Sequence, residues 1–487
     1  MAKQSRANTP ATSKLPLAVD MDGTLVRSDL LLEALMNVAK GNIFYLIGCL
    51  FTYLRHGLAA FKTKIFTRAQ FDLKHLPYNL ELIEHIKTEK ARGRRIVLAT
   101  ASSQNIAQAV ADHLGLFDQV IASSATVNLS GYAKAERLTE LFGDKGFAYA
   151  GNAWVDMKVW RVAGAAIVVN APAGLVLAAE QIGPVEAVLP RAKATWRLVL
   201  KAMRLHQWPK NILIFAPLVL AHKVLYWDLL TRAMVGTIAF TLMSSSVYVL
   251  NDLLDLDSDR RHPDNRRRPF ASGALSLGWG IALAPALLAA GSAVASLVSI
   301  PFLGVLLGYY LVTLAYSLRL KQLVLADTLI LASLYTWRIF AGSFAVDVPI
   351  SAWFLTFSCF FFLSLALIKR CAELILMAKQ DLPPNPRRGY WISDLSQLTS
   401  LGSAAGYISV LVLALYINND QVARLYQRPM VMWLVCPFIL YWISRMWLIA
   451  HRGGMTSDPL VFALKDRVSY VILVFVGVIW AVASGVV

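Results

Sequence analysis

The chain has 487 residues, 57% hydrophobic and 16% charged, with 47 Lys and Arg against 30 Asp and Glu for a net charge of +17. So large an apolar share excludes a disordered chain and exceeds what a water-soluble domain alone calls for, while the length allows one soluble and one membrane domain. Beside so much apolar sequence, the basic surplus points to membrane topology and away from nucleic acid. The first fourteen residues are polar and hold no apolar core, so a disordered N-terminus over 1–14 without a signal peptide is expected. Cys49, Cys359, Cys371 and Cys436 show no paired spacing and are expected to pack as apolar residues, with neither a disulfide nor a zinc site.

LAVDMDGTLV (Leu17–Val26) reads as a short apolar strand running into two aspartates, a glycine and a threonine. A carboxylate attacks a phosphate only if a cation cancels the repulsion between two anions, and a turn at Gly23 lets amides face the phosphate. The insert that follows holds NIFYLIGCLFTYL, flanked by Lys40, Arg55 and His56. That run is too short to cross a bilayer and suits either a helix lying at the membrane interface or a buried helix. RRIVLATASS (Arg94–Ser103) reads as a buried strand carrying Thr100, GYAKAERL (Gly131–Leu138) offers Lys134, and FAYAGNAWVDMKVW (Phe147–Trp160) offers Asn152 and Asp156.

In this order the four segments resemble the motifs of the haloacid dehalogenase-like phosphatases. The resemblance implies an α/β Rossmann-like domain over 15–170 with a helical cap at about 30–79. It implies Asp20 as nucleophile, Asp22 as general acid/base, and Thr100 and Lys134 as groups that hold the phosphate. A Mg²⁺ site would be made by Asp20, Asp22, Asn152 and Asp156. The sequence departs from the family at Asn152, where an acid is usual, so lower Mg²⁺ affinity is expected. Both an active phosphatase and a domain kept for folding or assembly stay open.

Residues 171–195, with Pro172, Pro184 and Pro190, read as a linker. From 196 to 487 the sequence is a series of apolar spans near the length needed to cross a bilayer. Nine are expected: 209–222, 229–250, 277–298, 301–319, 323–345, 351–375, 398–417, 431–450 and 467–486. The loops after the even-numbered spans, with the span ends beside them, carry five, two, five and four Lys and Arg, against Lys223, Arg232, Arg424 and Arg428 at the opposite ends. The positive-inside rule then puts the first set, and the soluble domain, in the cytoplasm.

NDLLDLDSD (Asn251–Asp259) ends the second span and is followed by RRHPDNRRRP (Arg260–Pro269). Acidic residues at a membrane are costly and mark a site by default. The spacing of Asn251, Asp252, Asp255 and Asp259 is expected to stack oxygen ligands on one helical face, which suits Mg²⁺ carrying substrate phosphates. The arginines beyond suit phosphate oxygens. The run matches NDxxDxxxD and resembles the UbiA superfamily of intramembrane prenyltransferases, over about 195–487. RLHQWPKN (Arg204–Asn211), RRHPDNRRRPFASG (Arg260–Gly273), YSLRLKQLVLAD (Tyr316–Asp327) and IKRCAEL (Ile368–Leu374) are similar to the branch that moves phosphoribose onto decaprenyl phosphate.

That resemblance implies an all-α polytopic membrane domain, phosphoribosyl pyrophosphate as donor and a polyprenyl phosphate as acceptor. Asn251, Asp252, Asp255 and Asp259 would hold Mg²⁺ and through it the pyrophosphate, with Asp255 and Asp259 central to the reaction. Gln207, Lys210, Arg266 and Arg267 would meet phosphate oxygens. Tyr316, Lys321 and Asp327 stand at the family's second polar motif, where the usual second DxxxD is absent. Arg338, Lys369, Arg370 and Glu373, on the fifth and sixth spans, would also bind substrate.

Together the domains imply a bifunctional enzyme of the bacterial inner membrane. Phosphoribosyl transfer leaves a lipid-linked ribose bearing a 5-phosphate, and the phosphatase would remove it, giving a precursor of the arabinose donor for cell-surface glycans. Fusion would keep the second step close to the first product. Two alternatives stay open: a prenyltransferase using a prenyl diphosphate, and a cation or lipid transporter. No nucleic-acid partner is expected, and a homo-oligomer is left open.

Overall fold

The computed structural model describes residues 15–41, 43–124, 127–190, 196–379, 389–455 and 458–485. The expected tail over 1–14 and the end of the expected linker at 191–195 lie outside the described residues. The chain divides into two compact units, Met1–Arg204 with Tyr248–Ala284, and Leu205–Val247 with Pro285–Val487.

The first unit is built on β1 (Leu17–Val19), α1 (Leu30–Gly41), α2 (Ile43–Arg68), α3 (Leu80–Ala91), β2 (Ile96–Ser103), α4 (Gln104–Leu114) and β3 (Gln119–Ser123). It continues through α5 (Tyr132–Phe142), β4 (Ala148–Gly151), α6 (Met157–Trp160), β5 (Ala165–Val169), α7 (Ala173–Ile182) and β6 (Val185–Leu189). The six strands form one sheet of order β3-β2-β1-β4-β5-β6, every pair parallel. Leu17 stands opposite Ile96 on one side and Ala148 on the other. Strands covered on both faces read as unbroken apolar runs, as LAV, IVLA and AAIVV do. Alternate residues serve opposite layers: Leu17, Val19, Ile96 and Leu98 pack with α1, α3 and α4, while Ala18, Val97, Phe147 and Tyr149 pack with α5 and α7.

The reading of 171–195 as a linker is corrected over its described part, which holds α7 and the edge strand β6. The prolines that suggested a linker punctuate elements. Pro172 caps α7, and the Pro184 carbonyl accepts from the Ala166 amide (2.8 Å) as β6 joins the sheet. Helix α2 is broken at Gly57 (φ 77°, ψ −174°), a region only glycine enters readily.

The remaining helices are α8 (Trp196–Ala202), α9 (Ala216–Leu220), α10 (Trp227–Leu254), α11 (Leu256–Arg261), α12 (Leu277–Val298), α13 (Ile300–Leu318) and α14 (Ala326–Val346). After them come α15 (Ala352–Lys379), α16 (Leu395–Ile417), α17 (Asp420–Ala423), α18 (Val435–His451), α19 (Pro459–Ala463) and α20 (Arg467–Ser484). Among the described residues, eight helices are long and apolar enough to cross a membrane, built on α10, α12, α13, α14, α15, α16, α18 and α20. The first of the nine expected spans is instead a 3₁₀ stretch, Leu205–Phe215, with Pro209 inside it, followed by the five-residue α9. Proline lacks the donor that an α-helix needs there, which divides the segment. The protein is a multi-pass membrane protein with an N-terminal α/β domain.

Candidate active sites

Parallel sheets of this order place chemistry at the carboxyl ends of their strands. Asp20 follows β1 directly, Thr100 lies on β2, and Asn152 follows β4. Lys134 arrives from α5 and donates to Asp20 Oδ1 (2.6 Å) and to the Tyr149 hydroxyl (2.9 Å). Tyr149 in turn donates to Asp156 Oδ1 (3.0 Å), whose other oxygen accepts from the amides of Asn152 and Ala153 (2.9 Å each). Asp156 thereby fixes the turn after β4. Asp22 accepts from the Leu30 amide at the start of α1 (2.9 Å) and from Ser102 Oγ (2.7 Å).

Burial raises the Asp20 carboxyl to about 7 against the opposing pull of Lys134, with Asp156 adding to the rise. Burial, and then Asp29, raise Asp22 to about 6. Burial therefore disfavours the ionised form of both groups, and added positive charge would favour it. Gly23 (φ 75°) lies under the Asn152 carboxamide, and a Cβ there would meet Asn152 Nδ2 at 2.1 Å. Thr24 Oγ1 donates to Asn152 Oδ1 (3.2 Å). The sequence motifs gave no sign of Lys62. It comes from α2 to donate to the Ala101 carbonyl (3.1 Å) and Asn128 Oδ1 (3.0 Å), beside the end of β2. Burial lowers its pKa, while Asp22 and Asp29 oppose that shift.

The acidic run also belongs to the first unit, and its helical path is interrupted at Asp255, although the Asp255 amide still donates to the Asn251 carbonyl and the Asp259 amide to the Asp255 carbonyl (2.9 Å each). Helix α10 ends at Leu254, Asp255 stands at the break (φ −105°, ψ 16°), and α11 begins at Leu256. Asp252 and Asp259 are brought together by Arg268, at 3.2 and 2.6 Å, and Arg204 also holds Asp252. Burial raises Asp259 to about 6 despite Arg268. Asp255 pairs with Lys40 of α1. Arg266 and Arg267, expected to meet phosphate, are exposed on a short turn, while Arg204 and Arg268 carry the contacts. Arg268 stands in the basic run after the acids and Arg204 opens the RLHQWPKN segment, but neither was singled out. Asn251 Oδ1 is buried and has no hydrogen-bond partner among the described residues.

Helix α1 holds this loop along one stripe. Arg260 makes a bidentate pair with Glu33 (2.6 and 2.8 Å), both buried, Asn37 donates to Asp257 (3.1 Å), and Lys40 Nζ donates to the Leu254 carbonyl (3.0 Å). The positions 33, 37 and 40 share a helical face.

In the second unit, Lys210 and Lys369 both reach Asp458, at 3.3 and 3.1 Å. Burial alone would raise the Asp458 carboxyl, but the two lysines hold it at about 2. Asp327, fully buried, accepts from Arg370 (2.7 Å) and from the Tyr390 hydroxyl, and Arg370 also pairs with Glu373 (2.6 Å). Arg338 is buried among Phe240, Tyr309 and Tyr335, and donates to Asn211 Oδ1 (3.1 Å), the Leu334 carbonyl (2.6 Å) and the Tyr309 hydroxyl (3.1 Å). Gln207 and Tyr316 are half-buried on the 3₁₀ stretch and α13, and Lys321 lies on the turn after α13. Asp458 and Tyr390 sit in no motif and were not anticipated.

Residues 17–169 match the haloacid dehalogenase-like hydrolase family, and residues 212–374 match the UbiA prenyltransferase family. Uncharacterized protein y4nM of Sinorhizobium fredii is 33% identical over 461 residues, covering 94% of this chain and 89% of that protein. Nodulation protein NoeC of Azorhizobium caulinodans is 36% identical over 281 residues, 58% of this chain and 91% of that one. The decaprenyl-phosphate phosphoribosyltransferase of Mycolicibacterium smegmatis is 31% identical over 291 residues, again 58% and 91%. The chain belongs to the UbiA prenyltransferase family. It joins that transferase domain to an N-terminal haloacid dehalogenase-like hydrolase domain, and the alignment with y4nM is long enough to include both.

Proposed function

We propose that the chain transfers 5-phosphoribose from phosphoribosyl pyrophosphate to a polyprenyl phosphate, and then removes the 5-phosphate. The observation that carries the first step is the 31% identity to a decaprenyl-phosphate phosphoribosyltransferase over 91% of that enzyme. In that step a lipid phosphate oxygen bonds to the anomeric carbon as pyrophosphate leaves. Asn251, Asp252, Asp255 and Asp259 would hold Mg²⁺, and the buried, unpaired Asn251 Oδ1 suits a hard oxygen-seeking cation. The ion, when bound, would neutralise the leaving pyrophosphate. Two lysines on the single carboxylate Asp458 leave a surplus of positive charge, which suits phosphate oxygens.

In the second step Asp20 attacks phosphorus, Asp22 protonates the departing C5 oxygen, and water then frees Asp20. Lys134 holds Asp20, and Lys62 stands beside the end of the neighbouring strand β2. Asp20, Asp22, Asn152 and Asp156 would hold Mg²⁺, and Asp156 also sets the turn that carries Asn152. The raised Asp20 and Asp22 carboxyls fit a site that takes up a cation. The arrangement of basic loops supports the soluble domain on the cytoplasmic face and residence in a bacterial inner membrane. The test is to incubate purified protein with labelled phosphoribosyl pyrophosphate, Mg²⁺ and polyprenyl phosphate. Label should enter the lipid phase as ribose phosphate and then lose its phosphate. A prenylated aromatic product with no ribosylated lipid would move the chain to the ordinary prenyltransferases.

A further inference from the structure

The break at Gly57 folds α2 into a hairpin, with a first arm over 43–56 and a second over 58–68. The arms are held on their inner faces. Lys64 Nζ donates to the Gly48 carbonyl (3.2 Å) and Thr52 Oγ1 (2.8 Å), Tyr45 donates to the Lys64 carbonyl (3.3 Å), and Tyr53 packs edge-on against Phe61. Cys49 and Ile65 are fully buried. The outer face is the opposite. Ile47, Leu50, Phe51, Leu54 and Leu58, at helical spacing, are exposed, Phe51 by 64% and Leu54 by 71%. Leaving such a stripe in water is unfavourable, and a stripe of this kind marks an interaction surface.

Two further observations identify what covers it. The arm begins three residues after Lys40, whose ammonium is bonded to the Leu254 carbonyl at the very end of the membrane-crossing helix α10. The stripe therefore starts at the level where the chain leaves the bilayer. The first arm also contains no Asp or Glu and carries Arg55 and His56 at its end, a pattern suited to anionic headgroups. We propose that the outer face of the first arm lies in the interfacial layer of the bilayer. Because Lys62 on the second arm reaches the strand end at the phosphatase site, this seating holds that site against the membrane. Its substrate class is then a phosphate monoester carried on a lipid, a conclusion that rests on the phosphatase reading above.

The first arm of the test places a photo-crosslinking benzoyl-phenylalanine at Phe51 or Leu54 of the full chain, in vesicles of phosphatidylcholine and phosphatidylglycerol bearing labelled acyl chains. Label should attach to the 43–68 peptide, and not when the crosslinker replaces Glu84 on α3, whose side chain is 73% exposed. Absence of lipid label, or crosslinking of one chain to another, overturns the membrane contact. The second arm compares substrates. Phe51→Glu with Leu54→Glu should slow hydrolysis of the lipid-borne phosphate about tenfold through lost proximity, and leave p-nitrophenyl phosphate hydrolysis unchanged. Unchanged lipid-phosphate hydrolysis, or equal loss on both substrates, overturns the lipid-substrate claim. A parent protein that hydrolyses neither overturns the phosphatase reading and the substrate claim with it, and the crosslinking still decides the membrane contact.

Discussion

In the phosphatase-like domain the motif residues stand at the carboxyl ends of neighbouring parallel strands, with only Lys134 brought in from a helix. In the second unit the charged groups come from the interiors of separate helices, the 3₁₀ stretch and loops, and Lys210 meets a carboxylate 248 positions away. A strand fixes its end residue by ladder geometry, so a short motif such as DMDGT carries most of its own placement. A helix residue is placed by packing along the whole helix, and no local pattern encodes its partner. The acidic loop lies between these cases: a local motif, held in shape by a helix from the phosphatase-like domain.

The largest expected effect is at that loop. Asp255→Ala should abolish lipid labelling from phosphoribosyl pyrophosphate, because a proposed Mg²⁺ ligand is lost from a site that works through the ion. The detergent-purified variant should keep its size-exclusion profile. Full transfer by this variant would remove Asp255 from the metal site. Next, Asp20→Asn should lower dephosphorylation about a thousandfold or more, since a carboxamide is no nucleophile, and the phosphorylated lipid should accumulate. Transfer should continue at the parent rate. Both steps failing together would show that the two regions do not act separately.

How much was legible follows from these residues. Asp20, Asp22, Thr100 and Lys134 were singled out by motif, and each has a partner near the carboxyl ends of β1 and β2. The stretch after Asn170 was misjudged because proline marks a helix cap and a strand start as readily as a linker. The Asp run was expected on one helical face. The helix is interrupted at Asp255, where Lys40 from α1 takes the carboxylate. Nothing in NDLLDLDSD encodes that partner. Lys62, Arg204 and Asp458 escaped notice for the same reason, since each acts through a contact distant in sequence.

Glu33→Gln tests whether the domains are independent. It leaves Arg260 buried without its carboxylate, an arrangement that costs about 3–5 kcal/mol when a buried pair is broken. Thermal unfolding should occur at lower temperature, and phosphoribosyl transfer should slow although Glu33 lies in the phosphatase-like domain. A variant with parent melting and parent transfer would show that α1 does not support the loop. A smaller effect is expected from Lys210→Met or Lys369→Met. Each leaves one lysine on Asp458, so the KM for one phosphate-bearing substrate should rise about tenfold, the effect of removing one charge-assisted hydrogen bond. An unchanged KM for both substrates would make this cluster structural.

The smallest effect, and the one that separates the two regions most finely, is expected at Asn152. Asn152→Asp is nearly isosteric, and the Thr24 hydroxyl that donates to Asn152 Oδ1 can donate to the new carboxylate equally well. The turn set by Asp156 and the close approach of Gly23 should therefore persist. What changes is charge. Without a bound cation the added anion raises Asp20, already at about 7, and holds more of it protonated, so hydrolysis at low Mg²⁺ should slow. With the cation bound, the same carboxylate supplies the charge the site lacks, so half-maximal hydrolysis should need several-fold less Mg²⁺, an effect on the order of 1 kcal/mol. The two Mg²⁺ titrations should cross, while the Mg²⁺ dependence of phosphoribosyl transfer stays where it was. Superimposed hydrolysis curves would mean that Asn152 lies outside the cation's reach and that the phosphatase-like site gathers its charge elsewhere.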